Sequence, residues 1–574
     1  MKKIFALLPL VFSFNLYAQN FKTRFENSNG TQSATYFECI DYYKRLGAAY
    51  KTISVKTMDT TDAGYPLNLI FYSNDGVFNP DVLHKKNKIV ILINNGIHPG
   101  EPDGIDACMM LLRDLAQHKI KAPDNVALAV IPVYNIGGSL NRTPYSRVNQ
   151  NGPEEYGFRG NAQNYDLNRD FIKSDSKNAR AFASIFHYVN PDIFIDNHVS
   201  DGADFQHTMT LLTTVPDKLG YAIGKFLRET FEPALFKGMS ARNWQMVPYV
   251  NFEVSAGSRN WDAYFDSPRY GTGYAALFET ISFMPETHML KPYKQRVQSV
   301  YDLMITMMEQ GGIYAKNILE KRKESIDSVK RATSFPLGYK IDTTRYDNIS
   351  FMGYAAEQKK SDVTGMDRLF YNHDKPYTAQ IKFYDYFTPE KFVAKPKAYI
   401  IPQGWWKVLD LLKLNKVAMT RLAKDSVIEV DAYRVEDYTT ATRNFEGHYM
   451  HSNTKLSTHH QSIKFLKGDY IIYTGQAADR FLAETLEPEA DDSYFSWNFF
   501  DQIFQQKEGY SNYRWEDVAG TYLQAHPEIR KLLEDKKKED PKFAANANAQ
   551  LNFVYQHSPY YEPAHLRYPV YKVK

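Results

Sequence analysis

His98-Pro99-Gly100-Glu101 sets an imidazole and a carboxylate three residues apart in a tight turn, from which both can reach one metal ion. A chain with 15 histidines can show such a spacing by chance, so its position is what gives it weight. It follows the β-branched run Lys88–Asn94 (KIVILIN), which reads as a buried strand, and precedes a helix opened by Pro102 and running to about Ala116. Open α/β sheets present ligand sites at the carboxyl ends of their strands. His198 stands at the same kind of place, directly after the apolar run Asp192–Asp196 (DIFID). Two imidazoles and one carboxylate make a ligand set for catalytic zinc with a position left open for water. One carboxylate on a divalent ion leaves a net charge of about +1, suited to polarising a carbonyl and lowering the pKa of water to about 7. Asp196 fits either a structural role or the orientation of a ligand.

The elements that must position these residues alternate. A second buried strand is expected at Val126–Tyr134, followed by a long polar loop to about Asn164, and a fourth strand at Ala275–Phe283 (AALFETISF). Strands separated by helical segments predict an α/β fold, a mixed, largely parallel sheet flanked by helices. A helix is expected from about Tyr293 to Arg331, its lysine-rich end a solvated face. Beyond residue 335 the pattern restarts, with Ala398–Ile401 as strand and Trp405–Leu414 as helix. The expected division is a signal peptide at 1–18, a catalytic domain at 19–330, and a C-terminal α/β or α+β region of unassigned role at 331–574.

The N-terminus carries Lys2 and Lys3, an apolar run from Ile4 to Leu16, and a cleavage point after Ala18. Export to the periplasm or the medium is expected, with no membrane span once the signal is removed, because no later run is long enough. The net charge of +3 gives no electrostatic reason to expect nucleic acid. Cys108 lies on an apolar helical stripe, so Cys39 and Cys108 read as buried thiols, with a disulfide between them as the alternative. Neither His459-His460 nor Trp405-Trp406 forms a comparable constellation.

The order His98-x-x-Glu101, Asp166-Leu167-Asn168-Arg169, His198 and a late strand-borne Glu279 resembles the zinc carboxypeptidase family of the carboxypeptidase A type, over roughly residues 40 to 310. The resemblance implies one zinc ion per chain held by His98, Glu101 and His198. It implies that Asn168 and Arg169 bind a substrate's terminal carboxylate, for which the planar guanidinium fork is suited. Arg159 resembles the arginine that steadies the tetrahedral oxyanion, with Arg142 and Arg147 as rivals. Glu279, within an apolar run that would raise its pKa, resembles the general base, with Glu286 as a weaker rival. The chain departs from the pattern at the tyrosine that closes over the substrate, where Phe252 falls and Tyr249 is near. Arg259, just past the turn Ser255–Ser258, takes the place of the residue that selects the substrate side chain. Pointing inward it would favour acidic substrates; pointing outward it is a surface arginine. Leu482–Phe500 resembles the tail of large bacterial members, with no role attached.

The expected activity is therefore zinc-dependent hydrolysis of C-terminal peptide bonds. An amidohydrolase acting on acylated amino acids or peptidoglycan-derived peptides is an alternative, since Asn168 and Arg169 would serve it equally. A binding protein that has lost activity is the third reading, opposed by the intact ligand set.

Overall fold

The computed structural model describes residues 21–249 and 260–574. The expected signal peptide, Phe252, the turn Ser255–Ser258 and Arg259 lie outside the described residues.

The central sheet is built from β1 (Ile53–Thr60), β2 (Pro66–Tyr72), β3 (Ile89–Asn94), β4 (Val126–Ile131), β5 (Ile193–Asp196), β6 (His198–Ser200), β7 (Met209–Thr213) and β8 (Val247–Pro248). The short β9 (Asn260–Asp262) lies outside it, and β10 (Ile281–His288) completes it. The order is β1-β2-β4-β3-β5-β10-β7-β8, with β6 pairing to β10. Pairs β3/β4, β3/β5, β5/β10, β6/β10 and β7/β8 are parallel, whereas β1/β2, β2/β4 and β7/β10 are antiparallel. The sheet is mixed and largely parallel, as expected. β3, β4 and β5 are buried along their whole length, which is why they read as unbroken apolar runs rather than alternating ones. The helix Asp103–Ala116 packs on the long helix Tyr293–Arg331, which also crosses β3, β4 and β10, while Lys177–Val189 packs on β1, β2 and β3.

The fourth strand corrects the sequence reading. Gly271–Ala276 is helix, and the strand begins only at Ile281 and continues through Pro285 and Glu286 to His288. Pro285 has no amide to donate and so argues locally against a strand. Here it sits opposite Leu211 of β7, and the strand runs on past it.

In the second half, β11 (Ser334–Ile341) pairs with β14 (Phe387–Ala394), and β12 (Asp347–Lys360) pairs with β13 (Asp367–Tyr384) in a long ribbon. A further sheet comprises β15 (Ala398–Ile401), β16 (Thr420–Arg421), β17 (Ser426–Thr440), β18 (His451–Phe465), β19 (Tyr470–Tyr473) and β20 (Arg567–Val573), ordered β16-β19-β15-β20-β17-β18. Many contacts cross the 330/331 line, among them the parallel pairing of β9 with β13 and the stacking of Phe278 on Phe481 with ring centroids 5.5 Å apart. One apolar cluster runs from Phe21 to Val570 through both halves. Cys39 and Cys108 are buried free thiols.

Candidate active site

The turn after β3 brings His98 and Glu101 together because the Glu101 amide donates to the His98 carbonyl at 2.8 Å. Gly100 is required there: a β-carbon would lie 2.6 Å from Arg147 Cδ and 3.1 Å from the Gly157 carbonyl. His198 enters from β6, beside β10. His98 Nδ1 lies 3.1 Å from Glu101 Oε1, and His198 Nδ1 lies 3.2 Å from Glu101 Oε2. The three buried side chains offer ligand atoms all within 4.8 Å of one another, the one such group among the described residues. Donor atoms held about 2.0–2.2 Å from one tetrahedral ion are about 3.3–3.6 Å apart, so this set fits zinc with little adjustment.

The outer nitrogens of the two imidazoles differ in their surroundings. His98 Nε2 is 2.9 Å from Asp166 Oδ1, which fixes the ring with Nδ1 towards Glu101. Asp166 accepts from Asn168 N at 2.9 Å and from Arg159 Nε and Nη2 at 3.0 and 2.8 Å. Burial works to raise the Asp166 carboxyl, but the charges of His98, Arg159 and Arg169 hold it far below the usual carboxylate range. His198 Nε2 stands 3.3 Å from Asp196 Oδ2, out of line for a hydrogen bond, and both atoms are buried without a partner. Glu101 also accepts the Val199 amide at 2.8 Å and Arg147 Nη1 at 2.6 Å. Against the effect of burial, His98, Arg147 and the hydrogen bonds keep its carboxyl well below the ordinary range.

These groups line an open cleft of about 750 Å³, together with Arg159, Asn168, Arg169, Tyr249, Tyr264, Tyr270 and Glu286. Arg159 Nη1 is 3.4 Å from His98 Nδ1 and 3.8 Å from Glu101 Oε1. Of its two rivals, Arg147 is in the cleft, and Arg142 is turned away to the carbonyls of Ser33, Ala34 and Glu155. Asn168 Oδ1 is buried without a hydrogen-bond partner, and the Arg169 guanidinium lies 4.6 Å over the Tyr270 ring.

Glu279 is not part of this arrangement. Its carboxylate accepts the Gly220 amide at 2.6 Å and lies 4.0 Å from Arg480 Nη1, just before the amino end of β10. The group of His98, Glu101 and His198 is at the other end of that strand, where Glu286 pairs in register with His198. At a strand's rise per residue, the two glutamates are roughly 20 Å apart. Glu286 is buried in the cleft wall, and its carboxyl is raised by that burial and by Glu101, against His198, Arg159 and Arg147. The sequence offers Glu286 only as the rival glutamate; the parallel pairing of β10 with β6 is what sets it beside His198.

A largely parallel sheet bearing two histidines and a glutamate at its strand ends, with the buried Glu286 and the pair Asn168 and Arg169 in one cleft, is a metallopeptidase type of arrangement. Residues 39–214 match the family described as zinc carboxypeptidase. The matched region contains His98, Glu101, Arg159, Asn168, Arg169 and His198 but ends before Glu286. Carboxypeptidase 2 of Trichophyton rubrum is 23% identical over 503 residues, covering 82% of this chain and 85% of the relative. A probable carboxypeptidase 2 of Arthroderma benhamiae is 22% identical, covering 79% and 84%. These relatives are fungal, and alignments so long extend well past residue 331. Among solved structures, a metallo-carboxypeptidase from Burkholderia cenocepacia is 15% identical with a TM-score of 0.35, covering 48% of this chain and 69% of that one. Carboxypeptidase A from Helicoverpa armigera is 12% identical with a TM-score of 0.37, covering 50% and 75%.

Proposed function

We propose that the chain is an exported, zinc-dependent carboxypeptidase that removes C-terminal residues from peptides, with Glu286 rather than Glu279 as its base. The observation that carries this reading is the pair of imidazole Nδ1 atoms facing the two oxygens of Glu101, in a cleft shared with Asn168, Arg169 and Glu286. A zinc ion held by His98, Glu101 and His198 would supply a Lewis acid and lower the pKa of water at the cleft floor. Asn168 and Arg169 bind the substrate's terminal carboxylate, the guanidinium backed by the Tyr270 ring. Arg159 and Arg147 provide fixed cations where negative charge develops on the scissile carbonyl oxygen. Glu286 takes a proton from the attacking water and returns it to the leaving nitrogen, a role suited to a carboxyl raised by burial. The charged and apolar stretches before Ala18 support export, and among the described residues no helix is long and apolar enough to cross a membrane.

The test is zinc content and hydrolysis of a panel of peptides, acylated amino acids and peptidoglycan-derived peptides, by wild type, Glu286→Gln and Glu279→Gln. Wild type and both variants are expected to hold one zinc, with Glu286→Gln alone losing about 10²–10⁴ in turnover. Activity retained in Glu286→Gln but lost in a folded Glu279→Gln would reverse the assignment. Cleavage of the acylated amino acids alone would favour the amidohydrolase.

A further inference from the structure

The C-terminal half reaches the active site through the tip of the β17–β18 hairpin. Between the two strands, Glu446 and Gly447 both take positive φ, 49° and 83°. A non-glycine residue in that region is held there by its surroundings and is a position at which to look for a task. The Glu446 carboxylate accepts the backbone amide of Asp166 at 2.8 Å. Asp166 is the carboxylate that fixes His98 through Nε2 and holds the Arg159 fork. Arg169 and Lys173 are close enough for their charges to act on Glu446 as well.

The contact is one of several that clamp this loop. Gly447 lies against Tyr165, where a β-carbon would be 3.1 Å from the ring. His448 Nε2 is 2.7 Å from Asp175, and its Nδ1 is bonded to Asn498. Lys173, buried between Asp170 and Asp175, lies over the rings of Tyr165 and Trp497, and Phe445 stacks on Trp497. These fix the hairpin tip against residues 165–175, the loop bearing Asn168 and Arg169. Among these contacts, the bond from Glu446 is the one made directly to Asp166.

We infer that Glu446 is a positioning residue of the active site: the C-terminal half supplies a carboxylate that sets Asp166, and through it His98 and Arg159. This rests on the zinc carboxypeptidase reading above. Outer partners of metal-binding histidines typically contribute 10–100-fold in metal affinity or activity. Glu446 acts one bond further out, and its removal is expected to fall near the lower end of that range.

The test uses the full chain stripped of metal, with zinc affinity measured by competition against a chromophoric chelator, beside kcat and KM. Glu446→Ala should bind zinc about 10-fold more weakly and lose a comparable factor in kcat, while the metal-free protein melts as wild type does. Glu446→Gln keeps an acceptor oxygen and should restore both to within about threefold. Glu446→Asp keeps the charge but shortens the reach, and should behave like Glu446→Ala; it carries the test if the alanine variant does not fold. Wild-type zinc affinity in Glu446→Ala or Glu446→Asp overturns the inference, as does a Glu446→Gln as impaired as alanine. A wild type that takes up no zinc sinks the carboxypeptidase reading and this inference with it.

Discussion

Asp166 makes the residue-scale case that the proposed metal site is more than the three side chains that would hold the ion. It receives His98 Nε2 on one oxygen and the Arg159 fork on the other, so one carboxylate sets both an imidazole and a guanidinium. Asp166→Asn keeps an acceptor for the imidazole but loses the charge and the paired bonds to Arg159. It is expected to lower zinc affinity and kcat/KM by about 10–100-fold, read by chelator competition and steady-state kinetics. Equal zinc affinity in the variant would show that Asp166 merely braces the loop. The grouping of His98, Glu101 and His198 is legible in the sequence because each is tied to the end of an apolar strand, a position that carries meaning without any fold in hand. Asp166 appeared in the sequence only as part of a motif, since nothing in a linear spacing shows that it turns back to His98. From the sequence alone Glu279 is the stronger candidate than Glu286, because it lies within an apolar run (ALFETISF) and resembles the family's base. Burial alone does not tell which end of a strand a carboxylate is on.

At the scale of elements, the long helix Tyr293–Arg331 was read with the boundaries that the structure shows, and β10 was not. The helix has thirty-odd residues of periodic pattern opened by Pro292, whereas β10 is buried on both faces and so shows no alternation to mark its ends. The two meet the site through Arg296, which is fully buried on the helix. It bonds to Asp103, at the start of the helix that follows Glu101, and to the carbonyls of Asn151, Gly152, Met289 and Lys291. It therefore ties the helix to the end of β10 and to the cis-proline loop around residue 152. Arg296→Met would leave Asp103 a buried carboxylate without its counter-charge, keeping only the Thr287 hydroxyl, and would remove one donor from each of four carbonyls, of which Gly152 and Met289 keep another. Removing one partner of a buried pair costs about 3–5 kcal/mol, so a loss of that size is expected in denaturant unfolding. The double variant Arg296→Met with Asp103→Asn should recover part of it; no recovery would mean that the carbonyl bonds, not the ion pair, carry the stability.

Over the whole molecule, the N-terminal segment, the first core helix and the long helix converge on one buried carboxyl, and its charge state makes their union sensitive to pH. Asp106 accepts the Ala34 amide at 3.3 Å and the Tyr293 hydroxyl. Burial pushes its carboxyl up to about 7, with Asp103 adding to the shift and the Tyr293 and Ala34 hydrogen bonds and Arg142 opposing it. In the unfolded chain the same carboxyl titrates near its ordinary value of about 4. Between those two values the folded protein binds a proton that the unfolded chain does not, so this residue's contribution to stability falls as pH rises from about 4 to about 7. Each pH unit across that window changes the contribution by about 1.4 kcal/mol. Asp106→Asn keeps the shape and cannot ionise, and it should lack this component. The measurement is guanidinium unfolding of metal-free wild type and Asp106→Asn at pH 4.5, 6 and 7.5. The difference between the two proteins should move steadily in favour of the variant as pH rises. Other buried groups, among them His187, whose imidazole is pushed down to about 4 by burial, titrate in both proteins and cancel from that difference. A difference that stays constant with pH would mean that Asp106 is already ionised in the folded state, held so by Tyr293 and Arg142 rather than protonated by burial.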